Sequence, residues 1–206
     1  MNNVYLYFDT ETTGLKPGQI CELSFIAEDA KTSNLIAAKN YFFSVDEVEE
    51  DAAKIHGFTK DLLDDLSHGR RFRDYCDELL EFFNDAVLVA HNIKFDLGFI
   101  TTEFFRCEYR FKPYKTEDTM AFFKDILKIP NKYPKYGKYK NPNVGEVLDY
   151  FNLSSDKISE YSGKIFSESQ SSFHDSRFDT TAIYVATNVY REQLHGGDNW
   201  RRYFSK

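Results

Sequence analysis

Alternating apolar and turn-forming stretches near the N-terminus predict three consecutive β-strands. Residues 4–8 form the first apolar run, Val-Tyr-Leu-Tyr-Phe, whose β-branched and aromatic content is typical of a buried strand. Apolar runs at 20–27 and 34–43 follow, and turn-forming residues at 16–18 and 29–33 separate the three runs. Strands joined by such short turns predict an antiparallel meander.

Helical spacing of the apolar residues dominates after the third strand. Helices are expected at 48–55, 59–66, 72–83, 94–106, 118–127, 143–151 and 175–194. The wholly apolar residues 86–90 predict a strand buried on both faces, and another strand is expected near 110–114. Thr59 and Asp118 are suited to helix N-caps, whereas residues 153–172, polar and rich in serine, give no clear prediction.

Three strands followed by alternating helices and strands predict an α/β fold, in which helices pack on a mixed sheet. The chain has 206 residues, a length that suits one well-cored domain. No linker or domain-length repeat interrupts the sequence. We therefore expect a single domain over residues 1–194, followed by a C-terminal tail at 195–206.

Composition favours a cytoplasmic protein with no membrane partner. Hydrophobic residues make up 42% of the chain, enough for a core, but no run approaches the roughly 18 apolar residues that a membrane span requires. No secretion signal is visible. The three cysteines, Cys21, Cys76 and Cys107, are widely spaced in apolar segments, which predicts buried free thiols in a reducing compartment.

The net charge of −7 argues against a protein that holds nucleic acid by its overall electrostatic attraction. It does not exclude a nucleic-acid enzyme. Two bound divalent cations would reduce the net charge to about −3 and would concentrate the change where a phosphate arrives.

Two acids, Asp9 and Glu11, follow the first apolar run. Residues two apart on a strand point the same way, so both carboxylates should project from one face. Close like charges raise each other's pKa unless a cation lies between them, and Mg²⁺ prefers carboxylate oxygens. The turn-forming Thr-Thr-Gly at 12–14 should end the strand and leave the acids at its exposed tip. The alternative for so short a pattern is a solvated strand end.

A third acid, Asp96, lies one turn into the helix that follows the buried strand. Phe99 and Ile100 share its helical face. An acid on an apolar face is costly unless it is paired or bound to a metal. The alternative is an acid that only interacts favourably with the helix dipole.

The last helix supplies a fourth acid, Asp179, and a histidine precedes it. Asp179 begins an apolar stripe that continues through Ile183 and Ala186. His174 lies five positions before Asp179, and on a regular helix side chains at that spacing point about 140° apart. His174 therefore cannot share the face of Asp179. We expect His174 in the loop before the helix, with Asp175 as N-cap. The alternative for a single histidine is a solvated loop residue.

Carboxylates without thiols favour hard cations over zinc. Two such cations about 4 Å apart catalyse phosphoryl transfer, and an imidazole is a suitable general base for an attacking water. A Ser-His-Asp mechanism is disfavoured because the sequence contains no Gly-X-Ser-X-Gly motif. The sequence therefore favours metal-dependent hydrolysis of a phosphoester.

Residues 8–15 (Phe-Asp-Thr-Glu-Thr-Thr-Gly-Leu), residues 91–96 (His-Asn-Ile-Lys-Phe-Asp) and the pair His174 and Asp179 resemble three sequence motifs of one family. They are the motifs of the DEDDh-type 3′–5′ exonucleases, the DnaQ-like family that includes the proofreading epsilon subunit of bacterial replicative polymerase. The resemblance implies a ribonuclease H-like α/β fold and removal of nucleotides from a 3′ end with two Mg²⁺ or Mn²⁺ ions.

The same resemblance assigns roles to five residues. It implies that Asp9, Glu11 and Asp179 are metal ligands, with Asp9 bridging both ions. It implies that Asp96 is a ligand directly or through water, and that His174 is the general base.

Weaker correspondences concern the substrate. His56, in Ile-His-Gly-Phe-Thr, resembles a family histidine that approaches the terminal nucleotide, although a helix C-terminal role is an equal alternative. Asp51 stands where relatives often carry a substrate-contacting glutamate, and its side chain is shorter. The other expected substrate contacts are Thr10, Thr12, Leu15, Asn92 and Phe95. Leu15 and Phe95 would pack against the terminal base, and the alternative for either is a core residue.

An unusual segment at 132–140 repeats a Lys-Tyr pair every three residues. Cations interleaved with aromatic rings are used to bind single-stranded nucleic acid, although most charged loops are only solvated. Residues 200–204 of the tail, Trp-Arg-Arg-Tyr-Phe, are either a docking peptide or a frayed end.

We predict a metal-dependent 3′–5′ exonuclease for single-stranded or frayed 3′ ends, of the proofreading or repair type, with DNA favoured over RNA. A polymerase or replisome is the expected protein partner. One alternative is a ribonuclease of the same family, because no residue visibly reads a 2′-hydroxyl. Others are a catalytically silent replicase-associated binding subunit and a protein whose acids hold only a structural ion.

Overall fold

The computed structural model describes residues 4–167, 174–196 and 201. Its strands are β1 (Val4–Thr12), β2 (Ile20–Asp29), β3 (Leu35–Phe42), β4 (Val87–Ala90) and β5 (Lys115–Asp118). Among the described residues they form one five-stranded sheet in the order β3-β2-β1-β4-β5. β1, β2 and β3 pair antiparallel, whereas β4 pairs parallel with β1 and with β5. The predicted meander and mixed sheet are both confirmed.

Helices pack on this sheet. They are α1 (Glu50–His56), α2 (Lys60–Ser67), α3 (Cys76–Phe83), α4 (Ile93–Arg106), α5 (Thr119–Leu127), α6 (Val144–Tyr150), α7 (Ser155–Phe166) and α8 (Ser176–His195). Both predicted N-caps are confirmed, since Thr59 accepts from the Leu62 N–H and Asp118 accepts from the N–H groups of Met120 and Ala121. None of the described helices is both long and apolar enough to cross a bilayer.

The core has one layer on each face of the sheet. Successive strand residues point to opposite faces, so Leu6 and Phe8 join the cluster built with α3 and α4. Tyr7, between them, joins the cluster built with α8, where its ring meets Tyr184 edge-on at 5.2 Å. The mostly buried helix α8 therefore lies against the opposite face of the sheet from α4.

β1 is longer than the sequence predicts. It continues through both acids and pairs with β2 as far as Thr12, opposite Ile20. Glu11 is only 9% exposed, so the prediction that the acids lie at an exposed strand tip was wrong. The reason is that the β-branched threonines fit a strand and β2 supplies hydrogen-bonding partners beyond the apolar run.

The strand predicted near 110–114 forms instead at β5, whose first residue, Lys115, lies one position beyond the end of the predicted range. β5 contains Lys115, Thr116, Glu117 and Asp118, all of them exposed or partly exposed at the edge of the sheet. An edge strand of charged residues lacks the apolar pattern by which strands are recognised. This explains the misplacement.

The polar stretch at 153–172 contains helix α7, which the sequence did not predict. Ser154 caps it by accepting from the Lys157 N–H, and Ile158 and Ile165 bury one narrow face. So few apolar positions give a weak helical pattern. Residues 168–173 of this stretch lie outside the described residues.

The cysteine prediction was right for one residue and wrong for two. Cys21 is buried and free, but Cys76 and Cys107 form a disulfide. Cys76 begins α3 and Cys107 follows α4, 31 residues away. Their proximity comes from the way these helices pack, which spacing along the chain does not reveal.

Helix α8 ends at His195, and Arg201 of the expected tail forms an ion pair with Glu192 at 2.9 Å. The other residues of the Trp-Arg-Arg-Tyr-Phe segment lie outside the described residues. The division into a domain at 1–194 and a tail stays a prediction.

Candidate functional site

The site is built on the C-terminal half of β1. Asp9 is partly buried and Glu11 is buried, and strand alternation directs both side chains to one face. The two carboxyl groups are close enough that the charge of Glu11 contributes to a raised pKa of Asp9. A pair of acids is thus fixed on the central strand of the sheet.

Asp96 is held against β1 by Thr10. The Thr10 hydroxyl donates to Asp96 Oδ1 at 2.7 Å, and the Thr10 backbone N–H donates to the same oxygen at 3.1 Å. β4 runs parallel to β1, and Asn92 turns the chain from β4 into α4 with a left-handed φ of 70°. The first turn of α4 therefore lies beside the acids of β1. Its residue Asp96 is only 3% exposed.

The start of α8 brings a fourth acid and a histidine. Asp175 caps the helix by accepting from the Arg177 N–H, as predicted. His174 precedes the cap, and its backbone N–H donates to Asp179 Oδ2 at 3.3 Å. A ring nitrogen of His174 and carboxylate oxygens of Glu11 and Asp179 all lie within 4.8 Å of one another.

Burial raises the pKa of all four acids, and repulsion by the other acids of the site adds to the rise in Asp9 and Glu11. Loss of hydration, with the charges of nearby acids adding to it, raises the pKa of Glu11 to about 9 and that of Asp9 well above its ordinary value. Burial likewise raises the pKa of Asp96 and of Asp179 to about 7, partly offset in Asp96 by the Thr10 bonds. The four acids repel one another in a poorly hydrated place.

This electrostatic situation fits divalent cations. In the described part of the chain, no lysine or arginine forms an ion pair with Asp9, Glu11, Asp96 or Asp179. Clustered carboxylates without a cationic neighbour are relieved by a hard cation such as Mg²⁺ or Mn²⁺. The donor atoms are mostly carboxylate oxygens, which such an ion prefers and which do not suit a structural zinc site.

His56 lies at the edge of this cluster. Its Nδ1 accepts from the Phe58 N–H at 3.0 Å, so Nε2 carries the proton and donates to the Thr12 carbonyl at 3.1 Å. Burial lowers the pKa of His56, and the nearby His174 lowers it further. His56 is the last residue of α1, and the C-cap position belongs to Gly57.

The remaining residues expected to contact substrate differ in their exposure and in their distance from the acids. Leu15 is 83% exposed, which excludes the alternative of a core residue. Phe95 is half-buried against Phe99, with ring centres 5.0 Å apart. Asn92 is exposed beside the acids, whereas Asp51 is an exposed surface residue paired with Lys54 at 3.2 Å.

Two more expected contacts are occupied within the protein. Thr10 holds Asp96, as described, and the Thr12 hydroxyl donates to the Gly14 carbonyl at 3.0 Å. Both threonines are nearly fully buried. Their side chains therefore shape the site from within.

The sequence interpretation did not identify Glu22. It lies in β2 directly opposite Glu11 and is fully buried. Burial, with the charge of Asp175 adding to it, raises the pKa of Glu22 to about 8. An acid inside the apolar run at 20–27 was a visible anomaly, but only the register of the strands shows that it faces the site.

A cavity of about 620 Å³ opens beside His174 and Asp179. Its other walls are His91, Asn92, Met120 and residues 141–145. The Nε2–H of His91 donates to the Pro142 carbonyl at 2.9 Å. This bond holds the wall formed by residues 141–145 against the residue that follows β4. The cavity has the size of a small-molecule or nucleotide site.

Comparison with known proteins gives matches to one family. Residues 6–176 match the family RNase_T, described as Exonuclease. DNA polymerase III subunit epsilon of Rickettsia felis is 32% identical over 101 residues, which cover 48% of this chain and 43% of the relative. The 3′-5′ exonuclease DinG of Staphylococcus epidermidis is 43% identical over 62 residues, which cover 30% of this chain and 7% of the relative.

The fold also matches solved structures. E. coli Exonuclease I in complex with a dA16 oligonucleotide superposes with a TM-score of 0.68 and 14% identity, over 92% of this chain and 41% of that chain. This confirms the predicted ribonuclease H-like exonuclease fold. The chain spans less than half the length of each of these three proteins.

Proposed function

Because the chain belongs to the RNase_T exonuclease family, we propose that it is a metal-dependent 3′–5′ exonuclease that releases nucleotides from single-stranded or frayed 3′ ends. The observation that carries the proposal is the cluster in which His174, Glu11 and Asp179 bring ligand atoms within 4.8 Å of one another. Asp9 and Asp96 adjoin this cluster: the charge of Asp96 contributes to the raised pKa of Glu11, and the charges of Asp96, Asp179 and Glu11 contribute to the raised pKa of Asp9.

The proposed metal site uses acids from three elements. Asp9 and Glu11 from β1 and Asp179 from α8 would hold two Mg²⁺ or Mn²⁺ ions, with Asp9 shared between them. Asp96 would contribute directly or through a water molecule, in the orientation that Thr10 fixes. When bound, the ions would lower the pKa of a water molecule and stabilise negative charge on the leaving oxygen.

His174 would act as the general base. Its exposed ring lies beside the acids and can accept the proton of a water molecule that attacks the terminal phosphorus. The bond between phosphorus and the 3′ oxygen of the preceding nucleotide then breaks, and the terminal nucleotide leaves. The hydrogen bond from the His174 backbone N–H to the Asp179 carboxylate holds the base next to this acid.

Contacts to the terminal nucleotide are proposed on the β1 side of the site. His56 and Leu15 flank the end of β1, while Asn92 and Phe95 approach from α4, and Thr10 and Thr12 support them. Asp51 is the weakest member of the set, because its short side chain is directed into a surface ion pair.

DNA is the proposed substrate. The relatives include proteins named DNA polymerase III subunit epsilon, and Exonuclease I carries a dA16 oligonucleotide in its complex. By the same reasoning we propose a proofreading or repair role, a polymerase or replisome as partner, and a cytoplasmic location. The two alternatives to this proposal are a ribonuclease of the same family and a catalytically silent binding subunit, and the following experiment distinguishes them.

The test compares matched 5′-labelled DNA and RNA oligomers with Mg²⁺. The proposal expects a ladder that shortens from the 3′ end, faster on DNA than on RNA. Faster shortening of RNA would indicate the ribonuclease. Binding without any shortening would indicate the silent subunit.

A further inference from the structure

The loop between α5 and α6 has a defined structure. An antiparallel bridge joins Pro130 to Tyr139. The Asn131 N–H donates to the Lys138 carbonyl, and the Lys140 N–H donates to the Ile129 carbonyl, each at 3.0 Å. Residues 130–140, called here the Lys-Tyr loop, therefore form a closed hairpin-like projection.

The Lys-Tyr loop is strongly basic in an acidic protein. Between residues 126 and 145 the sequence contains five lysines and no acid, although the net charge of the chain is −7. Lys140, at the base of the loop, pairs with Glu146. In the described part of the chain, Lys132, Lys135 and Lys138 form no ion pair, so their charges are available to a partner.

Aromatic rings accompany the free lysines. The ammonium groups of Lys132, Lys135 and Lys138 lie 6.0, 4.8 and 5.2 Å from the ring centre of the tyrosine that follows each. Tyr133 is 58% exposed and Tyr136 is 70% exposed. Tyrosine rings are enriched at interfaces, and here exposed rings recur beside these lysines, an arrangement that suits a surface that contacts a partner.

The combination selects the class of partner. Phosphates need cations, and unpaired bases need flat rings on which to stack, so single-stranded nucleic acid uses both features at once. An acidic peptide would use the lysines but not the rings. A duplex hides its bases and would leave the rings without a role.

The Lys-Tyr loop leads directly to the proposed active site. Residues 141–145 continue from its base and form one wall of the cavity that His174 and Asp179 line. The bond from His91 to the Pro142 carbonyl anchors that wall. A strand that lies along the loop is therefore directed towards the acids.

We propose that the Lys-Tyr loop binds the single strand on the 5′ side of the terminal nucleotide, with phosphates on Lys132, Lys135 and Lys138 and bases on Tyr133 and Tyr136. The inference rests on the proposed exonuclease function. It adds a second contact region, which holds a long substrate between successive cleavages while the 3′ end occupies the cavity.

The test replaces the three lysines by glutamine, as K132Q/K135Q/K138Q. The matched control is K31Q/K112Q/K115Q, which removes the same charge at the opposite end of the sheet, near the starts of β1 and β4. Substrates are a single-stranded DNA of about 20 nucleotides, longer than the loop needs, and a trinucleotide that is too short to reach it.

The loop variant should lose about tenfold more kcat/KM on the long substrate than on the trinucleotide, mainly through KM. Its binding should depend less on salt, with the slope of log K against log salt reduced by about 2, because each phosphate contact to a single strand contributes about 0.7. The control variant should show neither effect. Equal losses on both substrates, or no loss on either, would overturn the proposal.

Binding measured separately keeps the two proposals distinct. Fluorescence anisotropy with a labelled oligonucleotide, in an Asp9→Asn background, measures binding by the Lys-Tyr loop even if the protein degrades no nucleic acid. Tyr133→Leu/Tyr136→Leu should weaken this binding with little change in salt slope. Competition by poly-glutamate as strong as that by unlabelled DNA would overturn the assignment to nucleic acid. Loop-dependent binding without nucleotide release by the wild-type protein would instead contradict the exonuclease proposal alone.

Discussion

The carboxylate of Glu22 accepts a hydrogen bond from the backbone N–H of Ser176 at 3.0 Å. Ser176 is the first residue of α8, and its hydroxyl lies 2.7 Å from the hydroxyl of Ser24, also in β2. These bonds tie the start of α8 to the strand next to β1. They set where His174 and Asp179 lie relative to Glu11.

The first prediction concerns this tie. Glu22→Ala leaves the Ser176 N–H buried without an acceptor, which should lower the free energy of unfolding by about 1–3 kcal/mol and reduce the rate of nucleotide release. Glu22→Gln removes the same charge but keeps an acceptor oxygen, so it should stay close to wild type. Urea unfolding and kcat for both variants measure this. Equal behaviour of the two variants would mean that the bond does not position α8.

The second prediction concerns pH in the metal-free protein. The raised pKa values of Glu11, Asp96 and Asp179 mean that the folded state keeps protons that the unfolded chain has released. The free energy of unfolding should therefore fall as pH rises from about 5 to about 8, by up to about 1.4 kcal/mol per pH unit for each such proton. Mg²⁺ should restore stability most at the higher pH.

Asp9→Asn provides the matching variant. It removes one repelling charge, so in EDTA at pH 8 it should unfold at a higher temperature than the wild type. Thermal unfolding between pH 5 and 8 measures both effects. A metal-free wild type that is more stable at pH 8 than at pH 5 would contradict the electrostatic account.

The third prediction tests the proposed base. His174→Ala should slow nucleotide release by about 10²–10⁴-fold and flatten the rise of the rate with pH. His195→Ala, at the far end of the same helix, is the control and should leave the profile intact. Rates from pH 5.5 to 8.5 decide the matter. A rate that still rises with pH after loss of His174 would exclude it as the base.

The fourth prediction concerns Cys76 and Cys107. After oxidation in air, the denatured protein should expose one reactive thiol, that of Cys21. Closing a loop of this length stabilises a protein by about 3–4 kcal/mol, so reduction should lower the urea midpoint. Cys76→Ser and Cys107→Ser should each cause the same loss, and the double variant no more. Three reactive thiols would show that the pair is not bonded.

Local patterns in the sequence predict most of the fold. Apolar runs locate β1 to β4, and helical spacing with N-caps such as Thr59 and Asp118 locates most helices. They fail where the local pattern is weak, as in the charged edge strand β5 and the serine-rich α7. Pairing with β4 decides β5, and the packing of a narrow apolar face decides α7.

The candidate site was predictable as a set of residues and not as an arrangement. Spacing on a strand placed Asp9 and Glu11 on one common face, and spacing on two helices placed Asp96 and Asp179 on apolar faces. The Thr10 bonds to Asp96 and the position of Glu22 opposite Glu11 depend on the register of strands and on the helix that follows β4. Such relationships join residues far apart in the chain, and no local pattern encodes them.

The central claim is that acids from β1, α4 and α8 act as one metal site at a 3′ end. The most direct measurement is the initial rate of 3′-nucleotide release from 5′-labelled single-stranded DNA with Mg²⁺, for the wild type and for a folded Asp9→Asn variant. We predict that the substitution lowers this rate at least about a thousandfold, and that EDTA abolishes the wild-type rate reversibly. A variant within about tenfold of the wild-type rate, or a rate that EDTA does not change, would contradict the claim.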